Sequence, residues 1–254
     1  MIEVKNLHKA FEGEEVLKGI DFVFERGKTN LIIGQSGSGK SVLLKCMLGL
    51  FVPDQGSIEY DGKPFSEFSE DEKKDLSKQI GMVFQGGALF DSMTVEENVL
   101  FPLRMFTKQS RNKLMKRVQE VLKRVNLEGS EKKYPSEISG GMQKRVSIAR
   151  AIVNRPKYLF CDEPNSGLDP KTATVIDNLI QEITREYDIT TIIITHDMNS
   201  VLEIGENIAF LKDGVLAWKG NKDMVFKTED ESVTDFIYSS KLFKKVRTAQ
   251  LKGY

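Results

Sequence analysis

Short apolar runs separated by turns fill the first third of the chain. Val16-Leu17, Ile20 to Phe24 and Thr29 to Ile33 read as strands. Gly56 to Gly62 (GSIEYDG) is a further strand bounded by glycines, and Ile80 to Phe84 a short buried one that stops at Gln85. Then the period changes. Thr94-Val95-Glu96-Glu97 has the capping-box spacing that starts a helix. Leu114, Val118, Val121, Leu122 and Val125 recur on one face at helical spacing. Lys113, Lys116, Arg117, Lys123 and Arg124 fall on the other, and this basic run reads as a solvated face in preference to an anion site. Tyr158-Leu159-Phe160-Cys161 is a continuous apolar run, as in a strand covered on both faces. Asp169-Pro170 is an N-cap followed by proline at the first helical position. Thr191 to Thr195 is a second buried strand, and Phe210 to Leu216 a hairpin turning at Asp213-Gly214. The alternation predicts an α/β core, with a separate helical lobe over about residues 88–150.

Composition narrows the field. A chain of 254 residues suits one large domain, or a core with a smaller lobe. Lysine plus arginine and aspartate plus glutamate both number 37, which removes any whole-molecule electrostatic argument for a nucleic-acid partner. Cys46 and Cys161 lie far apart inside apolar runs and read as buried thiols of a reducing compartment. The longest apolar stretch, Leu43 to Val52, is interrupted by Lys45 and is too short to span a bilayer. The expectation is a soluble, cytosolic protein without a leader, whose membrane role comes through a partner. Residues 241–254 carry five basic side chains and no acid, a tail that reads by default as disordered, or else as a docking arm or membrane-surface contact.

The chemistry begins after the third strand. Gly34-Gln35-Ser36-Gly37-Ser38-Gly39-Lys40-Ser41 stands between Leu31-Ile32-Ile33 and a helix-like segment, the context that makes G-x-x-x-x-G-K-S a phosphate loop. Glycines let the loop bend and bring backbone N–H groups close to an anion. The helix N-terminus adds partial positive charge. Lys40 reaches terminal phosphates and the Ser41 hydroxyl suits Mg²⁺. One charge-assisted hydrogen bond is worth roughly 1.5–3 kcal/mol, so the ring of amides must do most of the holding.

Three strand ends add to it. The run 158–161 ends in Asp162-Glu163, where one carboxylate is placed to assist Mg²⁺ and the next to polarise an attacking water. His196 follows the next buried strand, positioned for contact with a γ-phosphate. Gln85 ends another, its neutral carbonyl suited to Mg²⁺ or the water.

Together these residues resemble the ATP-binding cassette (ABC) family: GQSGSGKS at 34–41, Gln85, ISGGMQKR at 138–145, YLFCDEP at 158–164, SGLD at 166–169 and His196, in order and spacing over nearly the whole chain. The resemblance implies a P-loop NTPase core of ABC ATPase type within residues 1–240, an N-terminal antiparallel β-subdomain and an inserted helical subdomain. It implies that Phe11 stacks on adenine, that Ser139, Gly140 and Gly141 contact ATP held by a second copy of the chain, that Asp162 assists Mg²⁺, and that Glu163 is the general base and His196 the switch histidine. Met142 departs from the glutamine common at that position.

The segment from Gly86 to Leu103, with SGGMQKRVSIARA at 139–151, resembles the Mla/MCE (MlaF-like) group of phospholipid-transport ATPases. That implies an MlaE-type membrane permease and an MCE-domain lipid carrier as partners, on the cytoplasmic face of the inner membrane. Ala88, Leu89, Phe90 and Met93 are then either anchors for a permease helix or core of the lobe. An amino-acid, metal or drug transporter with the same engine is the alternative, and a non-transport ABC protein a more distant one.

Overall fold

The computed structural model describes residues 1–225 and 227–237. In chain order it runs β1 (Ile2–Phe11), β2 (Glu14–Phe24), β3 (Thr29–Ile33), α1 (Lys40–Met47), β4 (Gln55–Tyr60), β5 (Lys63–Pro64), α2 (Glu70–Lys78), β6 (Ile80–Val83), α3 (Val95–Phe106) and α4 (Arg111–Arg124). There follow α5 (Gly140–Ile152), β7 (Tyr158–Asp162), α6 (Pro170–Glu186), β8 (Thr190–Ile194), α7 (Met198–Ile204), β9 (Asn207–Lys212), β10 (Val215–Gly220), α8 (Lys222–Val225) and α9 (Glu231–Ile237). The basic tail 241–254 lies outside the described residues.

Two compact units divide these elements. The first holds Met1–Glu25, Asn30–Glu67 and the chain from Ile194 onward. Its antiparallel sheet has the order β2-β1-β4-β5. Alternation sets the buried face: Ile2, Val4 and Leu7 of β1 and Leu17, Ile20, Phe22 and Phe24 of β2 point inward, two residues apart wherever the strands are regular. Ile2 pairs with Phe24 and Val4 with Phe22, so the apolar sets meet across the ladder. In the same unit β3 runs parallel to β9, Asn30 opposite Asn207 through Ile33 opposite Phe210, and β10 returns antiparallel to β9. The turn between them uses Asp213 and Gly214 at φ 51° and 84°, the hairpin geometry that Asp-Gly favours. All five residues of β3 are buried, and the strand delivers the chain directly into the phosphate loop and α1.

The second unit holds Arg26–Thr29 and Phe68–Ile193. Its strands lie in the order β8-β7-β6, with β7 parallel to β6 from Ile80 opposite Tyr158 to Val83 opposite Cys161. Burial of Tyr158 to Cys161 is complete or nearly so, as the continuous apolar run predicts. Helices α3, α4 and α5 pack on one another, and α5 also packs on β6. The apolar face of α4 is the one read from the sequence: Val118, Val121, Leu122 and the following Val125 are fully buried. Each such side chain stabilises the lobe by roughly 1.5–3 kcal/mol. Helix α6 begins on Asp169, whose Oδ1 accepts the Thr172 N–H at 3.0 Å, with Pro170 next.

The basic face of α4 departs from expectation. Arg117 donates to the Val153 and Ile152 carbonyls at 3.0 and 3.2 Å, and Arg124 donates to Glu186 and Glu182 of α6 at 2.6 and 3.2 Å. Two of its five cations therefore brace neighbouring elements, with partners far away in sequence. Both cysteines are free and buried, and burial pushes the Cys46 thiol up to about 11 and the Cys161 thiol higher still. Among the described residues no helix is long and apolar enough to cross a membrane.

Candidate nucleotide site

In the first unit the loop from Gly34 to Lys40 is shaped by backbone constraints. Gly34 is buried at φ 149°, and a β-carbon there would stand 2.2 Å from the Leu211 carbonyl oxygen and 2.8 Å from Ser38 Oγ. Only glycine lets the loop pass so close to β9. The Ser38 N–H closes a turn on the Gln35 carbonyl at 3.2 Å. Helix α1 starts from Gly39 with no side-chain cap, which leaves the N–H groups of its first turn as donors for a ligand. Lys40 folds back over the loop, its Nζ donating to the Gly34 and Gln35 carbonyls at 2.8 Å each. Ser38 Oγ is buried, and among the described residues it has no hydrogen-bond partner. Uncapped amides and an ammonium on the same short loop form a donor set that fits a phosphate chain.

Ser41 is exposed on the first turn of α1. Phe11 ends β1 with 39% of its surface exposed, backed edge-on by Phe51 at 5.2 Å between ring centres, with the Lys9 ammonium 5.3 Å away. An exposed ring held from behind is suited to stacking on a planar base. His196 is exposed just beyond β8, and the next residue, Asp197, caps α7 and donates its N–H to Thr195 Oγ1 at 3.0 Å.

The second unit carries the remaining candidates. Asp162 ends β7 and Glu163 opens the turn after it, at φ 46°, a left-handed conformation uncommon for a side-chain-bearing residue. The Ser166 N–H closes that turn on the Glu163 carbonyl at 3.1 Å. Gln85 is exposed past the end of β6, and its Nε2 donates to Ser166 Oγ at 3.3 Å. Gln85 and the turn of Glu163 are thus in contact through Ser166. Ser139 caps α5 by accepting the Met142 N–H at 3.3 Å, and Gly140 and Gly141 form its first turn.

Several residues here carry structural roles that no local motif announces. Lys144, Ser147 and Arg150 of α5 all donate to backbone carbonyls of residues 85–88. Their spacing of three along the helix was the available signal. Asn98 is fully buried and ties the segment from Phe90 to Thr94 onto α3: its Oδ1 accepts the Phe90 N–H at 2.9 Å, and its Nδ2 faces the Phe90, Met93 and Thr94 carbonyls at 3.0–3.1 Å. The segment it holds is not core. Ala88 and Phe90 are exposed, and Leu89 and Met93 half-buried. Ala88 and Phe90 line a groove of about 440 Å³ together with Phe84, Phe101, Pro102, Phe106 and Arg150.

Comparison with known proteins agrees with this arrangement. The family model described as ABC transporter matches residues 17–166, more than half of the chain. The chain belongs to the ABC transporter family. It is 39% identical over 236 residues to the probable ribonucleotide transport ATP-binding protein mkl of Mycobacterium leprae, covering 93% of this chain and 68% of that protein. It is 41% identical over 233 residues to the methionine import ATP-binding protein MetN of Clostridium tetani, covering 91% and 73%. Among solved structures it matches the dimeric post-hydrolysis state of the ATP-binding cassette MJ0796 bound to ADP and Pi. The TM-score is 0.77 at 34% identity, over 87% of this chain and 99% of that one. The fold is that of an ABC ATPase cassette, and the activity is ATP hydrolysis coupled to transport.

Proposed function

We propose that this ABC cassette works as a pair of identical copies closed around two nucleotides and drives a membrane permease from the cytoplasmic face. The phosphate loop carries the reading: its uncapped amides and Lys40 form a donor set for a triphosphate. Gly34 to Ser41 hold the phosphates and Phe11 stacks on the base. The chain has one such loop and one Ser139-capped helix of 13 residues. The first-turn donors of that helix, at Gly140 and Gly141, serve the γ-phosphate bound by the other copy.

In the reaction Glu163 takes a proton from the attacking water, the water oxygen bonds to the γ-phosphorus, and the bond to ADP breaks. Gln85 orients the water and His196 contacts the γ-phosphate. Ser41, Gln85 and Asp162 offer hydroxyl, amide and carboxylate oxygens, the hard donors that suit Mg²⁺. When bound, Mg²⁺ neutralises charge on the phosphate oxygens.

The groove over Phe84, Phe90 and Phe101 suits an apolar helix of the permease, since exposed aromatic anchors at its lip need a partner. For the cargo we favour phospholipids moved between membranes, with an MlaE-type permease and an MCE-domain carrier. The support is the resemblance of residues 86–103 and 139–151 to the Mla/MCE group. The relatives named for ribonucleotide transport and methionine import support a second reading, an importer of small polar solutes with the same engine.

Two measurements separate these layers. Glu163→Gln binds ATP without hydrolysing it, and the expected result is an ATP-dependent dimer on size-exclusion chromatography. A monomer at saturating ATP overturns the paired arrangement. Co-purification with the native permease followed by mass spectrometry is expected to show bound phospholipid above an empty-membrane control. A bound polar solute in its place overturns the lipid cargo and leaves the ATPase reading intact.

A further inference from the structure

Lys144 is the unusual residue of α5. It is 7% exposed, its ammonium donates to the Gln85 carbonyl oxygen, and burial pushes it below the usual lysine range. Among the described residues no carboxylate pairs with it. A buried ammonium satisfied only by a carbonyl dipole is costly, and a methionine or leucine would fill the same space more cheaply. Its neighbours on the same stripe do related work. Ser147 Oγ donates to the Gly87 carbonyl at 3.0 Å, and the Arg150 guanidinium to the Gly87 and Ala88 carbonyls at 2.8 and 2.7 Å. Positions 144, 147 and 150 lie three apart, so they form one row along the helix. The row grips the carbonyls of Gln85, Gly87 and Ala88, a segment with left-handed φ values at Gly87 and Ala88, 73° and 47°. That backbone has no ladder of its own, and the side chains replace one.

From this end of the segment a line of contacts runs to the proposed base. The Gln85 side chain reaches Ser166 Oγ, and the Ser166 N–H bonds the Glu163 carbonyl. From the other end, Arg150 stands 5.9 Å over the Phe90 ring at the lip of the groove. We propose that Lys144 is a positioning residue for ATP hydrolysis: with Ser147 and Arg150 it fixes the backbone of residues 85–88 to α5, so that the Gln85 side chain is held against the turn carrying Glu163. The helix that begins with Ser139 and the segment that begins with Gln85 then move as one piece. This inference rests on the role given to Gln85 above.

The test is a double-mutant cycle on the full-length chain. Lys144→Met keeps the stem and removes the donor; Gln85→Ala removes the side chain that Lys144 is said to position. Each single variant is expected to lower kcat about tenfold, with KM for MgATP changed less than about twofold. The double variant is expected to equal Gln85→Ala, because a residue acting through another has nothing left to act on. Lys144→Gln, which keeps an N–H donor, is expected to recover most of the rate. Ser147→Ala supplies a milder second case should Lys144→Met fold poorly, and its smaller loss must also vanish in the Gln85→Ala background. Losses that multiply in the double variant overturn the inference and leave the role of Gln85 standing. Wild-type kcat in Gln85→Ala overturns both.

Discussion

Two glycines show how a single hydrogen atom is required, and for different reasons. At Gly34 the obstacle is backbone: a β-carbon would meet the Leu211 carbonyl at 2.2 Å. A strand cannot step aside without breaking its ladder, so Gly34→Ala is expected to cost about 3 kcal/mol or more in urea denaturation, with no nucleotide present. At Gly141 the obstacle is a side chain, Thr172 Cγ2 at 2.7 Å. Thr172 cannot turn away freely, because its Oγ1 is held by Asp169 Oδ2 at 2.5 Å. At Gly140 the nearest atom is Leu168 Cδ2 at 3.8 Å, an ordinary contact. The prediction is therefore a split between adjacent positions. Gly140→Ala leaves stability unchanged or raises it by up to about 1 kcal/mol through helix propensity. Gly141→Ala lowers it by about 1–3 kcal/mol. Equal effects at the two positions would show that the strain is relieved elsewhere.

At the scale of elements, α3 separates local from distant control. Its start was legible because the capping box is complete within four residues: Thr94 Oγ1 accepts the Glu97 N–H at 3.4 Å, and Glu97 accepts the Thr94 N–H at 2.9 Å. Asn98, one residue further on, was not legible as a clamp, since nothing in its neighbourhood says that Phe90 folds back onto it. The expected stability losses follow that ranking. Thr94→Ala removes one cap and costs about 1 kcal/mol. Asn98→Ala leaves the Phe90 N–H and the Met93 carbonyl without the partner Asn98 gave them and costs about 2–3 kcal/mol. Chemical denaturation of both variants checks the order, and a reversal would mean that the 90–94 segment is held by other contacts. The same division explains α2. Its cap, Ser69 with Glu72, repeats the pattern of α3. Its body buries only Leu76, and its surface is stitched by Lys73–Glu70, Lys74–Asp71 and Lys78–Asp75 pairs. With no apolar stripe, periodicity gave no sign of it. The phosphate loop and the strand ending in Asp162-Glu163 were readable for the reason α3 was, each being a contiguous signal. The grip of α5 on residues 85–88 joins positions about 60 apart, and only the folded chain displays it.

For the whole molecule, balanced charge turns the question of nucleotide binding into a local one. With 37 cationic and 37 anionic side chains there is no net field to draw in a polyanion. Affinity must come from groups at contact distance, above all the amides and one ammonium of the loop. Two consequences follow for the same measurement. Ligand that binds the native state alone stabilises it by about 2.7 kcal/mol at a hundred times Kd. For a chain of this size that corresponds to a rise in Tm of roughly 5–10 °C. Because the donors are short-ranged, the rise measured at one fixed MgATP concentration is expected to hold between low and moderate salt, where an affinity built on a diffuse basic surface would fall steeply. Lys40→Ala removes the only side-chain cation of the loop and is expected to leave Tm within about 1 °C of its ligand-free value at the MgATP concentration that shifts the wild type. An undiminished rise in Lys40→Ala would place the nucleotide on some other surface, and would take with it the reading of the fold around Gly34 to Ser41 as the site where ATP is held.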